Sequence, residues 1–74
     1  MAFIPASTID AVIETVIVTR DFCGDERQAA LDCFADHGIE GADAERGYRV
    51  ANFRANAGWR RWQKRAGVPA KYIY

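Results

Sequence analysis

At 74 residues, half of them apolar, the chain has the length of one small domain and enough apolar side chains to build a core. No run approaches the ~20 apolar residues of a membrane span, and Phe3-Ile4-Pro5 is too short and lacks the basic leader of a secretion signal, so a cytoplasmic protein is predicted. Its zero net charge hides a segregation: residues 1–45 carry −8 and residues 46–74 carry +8, every acid lying at or before Glu45.

The first element begins after Pro5. Ile9, Val12, Ile13, Val16 and Ile17 fall at the spacing of one helical stripe, with Ser7 or Thr8 as N-cap and Asp10 in the first turn. The run from Val12 to Val18 is β-branched apart from Glu14, so a strand over residues 15–22 is the alternative. A second helix is predicted from an Asp25 cap to a stop at Gly38, with Leu31 and Phe34 inward and Ala30 and Cys33 beside them. Residues 39–42 read as a connector.

In the basic half, Tyr48, Ala51, Ala55, Trp59, Trp62 and Ala66 recur at three or four residues and predict a long helix to about Arg65. The competing reading breaks it near Asn56 to Gly58, because Gly47 and Gly58 weaken helix interiors. Gly67 and Pro69 close the element, and residues 1–6 and 67–74 read as extended arms. The fold class predicted is mainly α, a single domain of three or four helices. The alternative is α+β, with residues 15–22 paired to 48–53.

Catalytic chemistry is not indicated. His37, the one histidine, sits at a helix end among acids, the carboxylates have helix-surface spacing, and no glycine-rich phosphate loop follows a strand. Cys33 and His37 lie four residues apart but lack the further ligands of a zinc site, so no metal or other cofactor is expected. Two thiols in a cytoplasmic chain read as free cysteines.

What remains is binding. The segment Trp59-Arg-Arg-Trp62-Gln-Lys64-Arg65 interleaves aromatics with cations, as a surface that tracks phosphates and stacks bases does. On a helix, however, the tryptophans share one face and are expected in the core, with the cations solvated. A helix-turn-helix over residues 30–46 is a poor template because Phe34 stands where a small residue is needed. The plainest account of the charge split is that the two halves neutralise each other in surface ion pairs. Otherwise, candidate binding residues are the cations Arg54, Arg60, Arg61, Lys64, Arg65 and Lys71 together with the terminal apolar anchors Phe3, Ile4, Tyr72 and Tyr74.

The length, the Met1-Ala2-Phe3-Ile4-Pro5 opening and the composition rich in Ala, Arg and Asp together resemble the short transcription regulators of Xanthomonas-infecting phages that bind host RNA polymerase. That resemblance implies a non-enzymatic, monomeric protein of the host cytoplasm. It would contact the large polymerase subunits, with DNA as a further contact in the complex, interfere with sigma-dependent initiation and modify termination. A separate eight-residue stretch, Arg65-Ala-Gly67-Val-Pro69-Ala-Lys71-Tyr72, is similar to the linker ahead of the ATPase core in DnaC-like helicase loaders, without the ATPase itself. The other reading is a small DNA-binding regulator that uses its basic half.

Overall fold

The computed structural model describes residues 3–73, which form helices α1 (Ala6–Asp21), α2 (Glu26–Asp36) and α3 (Gly41–Arg65), then a single 3-10 turn, Ala70–Tyr72. There is no strand among the described residues. A Cβ built on Gly47 would lie 3.0 Å from Ile4, and one on Gly58 2.9 Å from Ile17, so α1 and α3 run parallel. With α2 returning between them, the topology is up-down-up.

The strand alternative for residues 15–22 fails on burial. Val12 and Val16 are fully buried and Thr19 nearly so, whereas Val18 and Phe22 are exposed, which is helical rather than alternating spacing. The threonines are accommodated because their hydroxyls donate back along the helix, Thr15 Oγ1 to the Ala11 carbonyl at 2.9 Å and Thr19 Oγ1 to the Thr15 carbonyl at 2.7 Å. The start of α1 differs from expectation. Pro5 is the N-cap, without a side-chain bond, and its carbonyl accepts from the Thr8 and Ile9 amides. The helix thus begins at Ala6, which puts Asp10 beyond the first turn and leaves Thr8 buried.

α2 matches its predicted signals. Asp25 accepts from the Gln28 amide at 3.0 Å. Past the end, Gly38 takes φ +77°, its amide donates to Ala35, and the Ile39 amide donates to Phe34, with both Ile39 and Phe34 buried. α3 closes in the same way at Gly67, whose φ is +83°, through bonds from the Gly67 and Val68 amides. α1 ends with the same pair of bonds, from Cys23 to Arg20 and from Gly24 to Thr19, but there the left-handed residue is Cys23, at φ +59°.

α3 is unbroken from Gly41, two residues into the predicted connector, and passes straight through residues 56–58. The predicted break is absent because the small residues on this helix face inward. Ala44, Gly47, Ala51 and Ala55 are all buried, and they let Ile9, Val12 and Val16 of α1 and Phe34 of α2 approach the α3 backbone. The Phe34 ring fits the notch left by Gly47, where an added Cβ would lie 2.6 Å from Cζ. Here close packing outweighs the ~1 kcal/mol helix penalty of an interior glycine.

The arms are not both free. Ile4 is half-buried against the core, so it serves as packing rather than as a free anchor, whereas Phe3 is 86% exposed. Residues 70–72 turn instead of extending. Tyr74 lies outside the described residues.

Candidate binding surface on α3

Once Ala44, Gly47, Ala51 and Ala55 face inward, a rotation of about 100° per residue fixes what faces outward. The outer face carries Arg46, Arg49, Val50, Phe53, Ala57, Arg60 and Lys64, all exposed except the half-buried Arg46, and Arg54, Arg61 and Arg65 are exposed on its flank toward α1. The stripe is about 30 Å long at 1.5 Å per residue. No acid occurs in the sequence after Glu45 to interrupt it.

The two charged halves do not neutralise each other. Among the described residues the ion pairs are Arg20–Glu26, Arg27–Glu45 and Arg46–Asp43. Two of these lie within the acidic half, and the third joins near neighbours on α3 across the boundary. Arg49, Arg54, Arg60, Arg61, Lys64, Arg65 and Lys71 have no carboxylate among the described residues within 4.0 Å. The unpaired acids Asp10, Glu14, Asp21, Asp32 and Asp36 are exposed on α1 and α2.

Trp59 and Trp62 depart from the core expectation. Both are half-buried and stack on each other, with ring centroids 5.0 Å apart and planes 6° from parallel. The Arg20 guanidinium lies 5.7 Å from the Trp59 centroid. Its Nε and Nη2 donate to Glu26 Oε1 at 2.9 and 2.7 Å, and Nη2 reaches Asn52 Oδ1 at 3.4 Å. One arginine therefore links the end of α1 to the starts of α2 and the distal half of α3. Sequence reasoning missed it because its partners lie as far as 39 positions away, on Trp59.

Two open grooves flank the stripe. One, of about 840 Å³, lies between distal α3 and the α1–α2 turn and is lined by Arg20, Cys23, Glu26, Asn56, Trp59 and Gln63 among others. Gln63 is buried and its Oε1 has no hydrogen-bond partner among the described residues. The other, of about 470 Å³, lies between α1 and α3. Ile13, Ile17, Ala57 and Gly58 line it together with Asp10, Phe53, Trp62 and the arginines Arg54, Arg61 and Arg65.

Of the predicted site residues, the structure puts Arg54, Arg60, Arg61, Lys64 and Arg65 on the exposed side of distal α3, with Arg60 and Lys64 outward and Arg54, Arg61 and Arg65 along the groove with α1. Lys71 and Tyr72 form a separate exposed pair past the helix end, with Lys71 Nζ 5.1 Å from the Tyr72 ring centroid. Phe3 precedes Ile4, which packs near Gly47 at the opposite end of the α1–α3 pair. Phe53, 79% exposed in the middle of the basic stripe, was not singled out from sequence. Its signal was its place three residues from Val50 and four from Ala57 on the outward face.

His37 Nδ1 lies 2.8 Å from the Cys33 carbonyl oxygen and both cysteines are free. No cluster of three or more metal-ligating side chains occurs among the described residues. No described helix is long and apolar enough to cross a membrane. Comparison with protein-family models, curated proteins and solved structures found no match.

Proposed function

We propose that this is a non-catalytic docking protein that binds host RNA polymerase through the outer face of α3 and so inhibits or modulates transcription. The observation that carries the reading is the set of cations on distal α3 that have no carboxylate partner among the described residues. A fold that needed these charges for stability would pair them. Left exposed, they are available to an anionic surface, where they accelerate encounter and exclude basic partners. Val50 and Phe53, set within the cations, supply the apolar contact that holds a complex once formed. RNA polymerase as the target comes from the resemblance to the phage regulators, with sigma competition or occlusion of a conformational step as the mechanism.

The test is retention of purified Xanthomonas RNA polymerase on the immobilised protein. Retention should survive nuclease treatment, weaken with rising salt and fall sharply in Arg60→Glu/Arg61→Glu. Loss of the polymerase on nuclease treatment would overturn the reading. It would favour the second one, a direct nucleic-acid binder, which rests on the length of the acid-free stripe.

A further inference from the structure

We infer that the groove between α1 and α3 seats an acidic amphipathic helix of a protein partner, as a fourth helix added to the bundle. The inference rests on the docking reading above and names where the partner lies and what it looks like. The groove is built for apolar contact. Ile13 and Ile17 form its α1 wall, and the small residues Ala57 and Gly58 keep the α3 side low. Gly58 has a specific part in this: a Cβ there would meet Ile17 Cδ1 at 2.9 Å. Phe53 stands at the rim, exposed, with no other role in the fold.

Charge selects the occupant: three arginines against the one carboxylate of Asp10 leave the groove net basic. Arg54, Arg61 and Arg65 line the α3 side at intervals of seven and four residues, which is the repeat of one helix face, and none has a carboxylate partner among the described residues. A helix lying along α3 would place acids beside all three while its apolar stripe entered the groove. From Phe53 to Arg65 the groove is about 18 Å long, enough for three turns, or about 12 residues, of helix. A nucleic acid would satisfy the arginines but would leave the isoleucine wall against phosphate or sugar. The apolar wall therefore favours protein.

The experiment measures binding of a labelled helical peptide of about 12–14 residues, with leucines along one stripe and glutamates flanking it. A scrambled peptide of equal composition and a short DNA duplex serve as competitors. The inference expects the patterned peptide to bind at least about tenfold more tightly than the scrambled one. Ala57→Arg, which fills the groove from an exposed helical position, should weaken binding by about tenfold or more, as should Arg61→Glu/Arg65→Glu. Circular dichroism of each variant confirms that it folds. Equal binding of the scrambled peptide, unchanged binding by folded Ala57→Arg, or displacement by the duplex would each overturn the inference. Polymerase retained by Ala57→Arg as by the parent would sink the groove and spare the target. Patterned-peptide binding without polymerase retention would do the reverse.

Discussion

Two glycines eleven positions apart on α3 should respond in opposite ways to the same substitution. Gly47→Ala and Gly58→Ala each add one methyl to a helix interior and each gain about 0.8–1 kcal/mol of helix propensity. At position 47 the new Cβ would lie 2.6 and 2.9 Å from Phe34 Cζ and Cε1 and 3.0 Å from Ile4 Cδ1. Phe34 is fully buried and has nowhere to retreat. Overpacking costs about 1–3 kcal/mol, and two contacts under 3.0 Å on a rigid ring put this case in the upper part of that range, at about 2–3 kcal/mol, so the net effect is a loss of about 1–2 kcal/mol. At position 58 the sole contact under 4 Å is Ile17 Cδ1, the end of a flexible, half-buried side chain. Rotation of that end leaves a net change between zero and about 1 kcal/mol of stabilisation. For a domain of this size, 1 kcal/mol shifts Tm by about 4–8 °C, so Gly47→Ala should melt roughly 4–16 °C below the parent and Gly58→Ala at or above it. Thermal melts followed by circular dichroism measure both. If Gly47→Ala melts no lower than the parent, or Gly58→Ala falls as far as Gly47→Ala, the assignment of Gly47 as the Phe34 notch is wrong.

Three further outcomes follow from local structure. Cys23→Val should destabilise by about 1–2 kcal/mol in chemical denaturation, because a β-branched residue is strained at the φ of +59° that closes α1. Asp25→Ala should cost about 1 kcal/mol by removing the acceptor for the Gln28 amide, and hydrogen exchange should report the loss as faster exchange in the first turn of α2. The triple variant Arg60→Gln/Arg61→Gln/Lys64→Gln should keep or slightly raise Tm, since like charges three or four apart on a helix cost about 0.2–0.5 kcal/mol per pair. The same variant should lose polymerase retention. A fall in its Tm of more than about 8 °C would show instead that these cations hold the fold.

The helical class was legible because two signals agreed along α1 and α2. The stripe from Ile9 to Ile17 is long enough to outweigh its β-branching, and Asp25 with Gly38 brackets a helix by cap and stop chemistry. The unbroken α3 was less legible because Gly47 and Gly58 look like helix breakers until their neighbours are known. Their role is steric and lies in Phe34, Ile4 and Ile17, residues distant in sequence. The tryptophans were misplaced for a related reason. Helical spacing puts Trp59 and Trp62 on the inward side, but α1 ends at Asp21 near their level, so no helix covers them fully and they stack on each other under Arg20. The cations of the candidate site were readable as residues. That they would remain unpaired was not, since pairing depends on which faces meet.

Those faces explain why the charge split survives folding. Surface acids and bases pair when adjacent helices present them along a shared edge, as Arg27 of α2 and Glu45 of α3 do. Beyond Gly47 the α3 register is set by the small residues that admit α1 and α2; it turns Arg49 and Lys64 outward and sets Arg54, Arg61 and Arg65 along the groove beside α1, with Arg60 on the other groove. The acids of α1 and α2 are in turn directed to solvent by the burial of Val12, Val16, Ala30 and Phe34. Asp10 shares one groove with Arg54, Arg61 and Arg65, and Asp21 the other with Arg60, but neither acid lies within 4.0 Å of these cations. On the proposed reading, the anions that complement the unpaired cations of α3 come from a second molecule. The groove between Ile17 and Arg61 is where that molecule can also bury apolar surface.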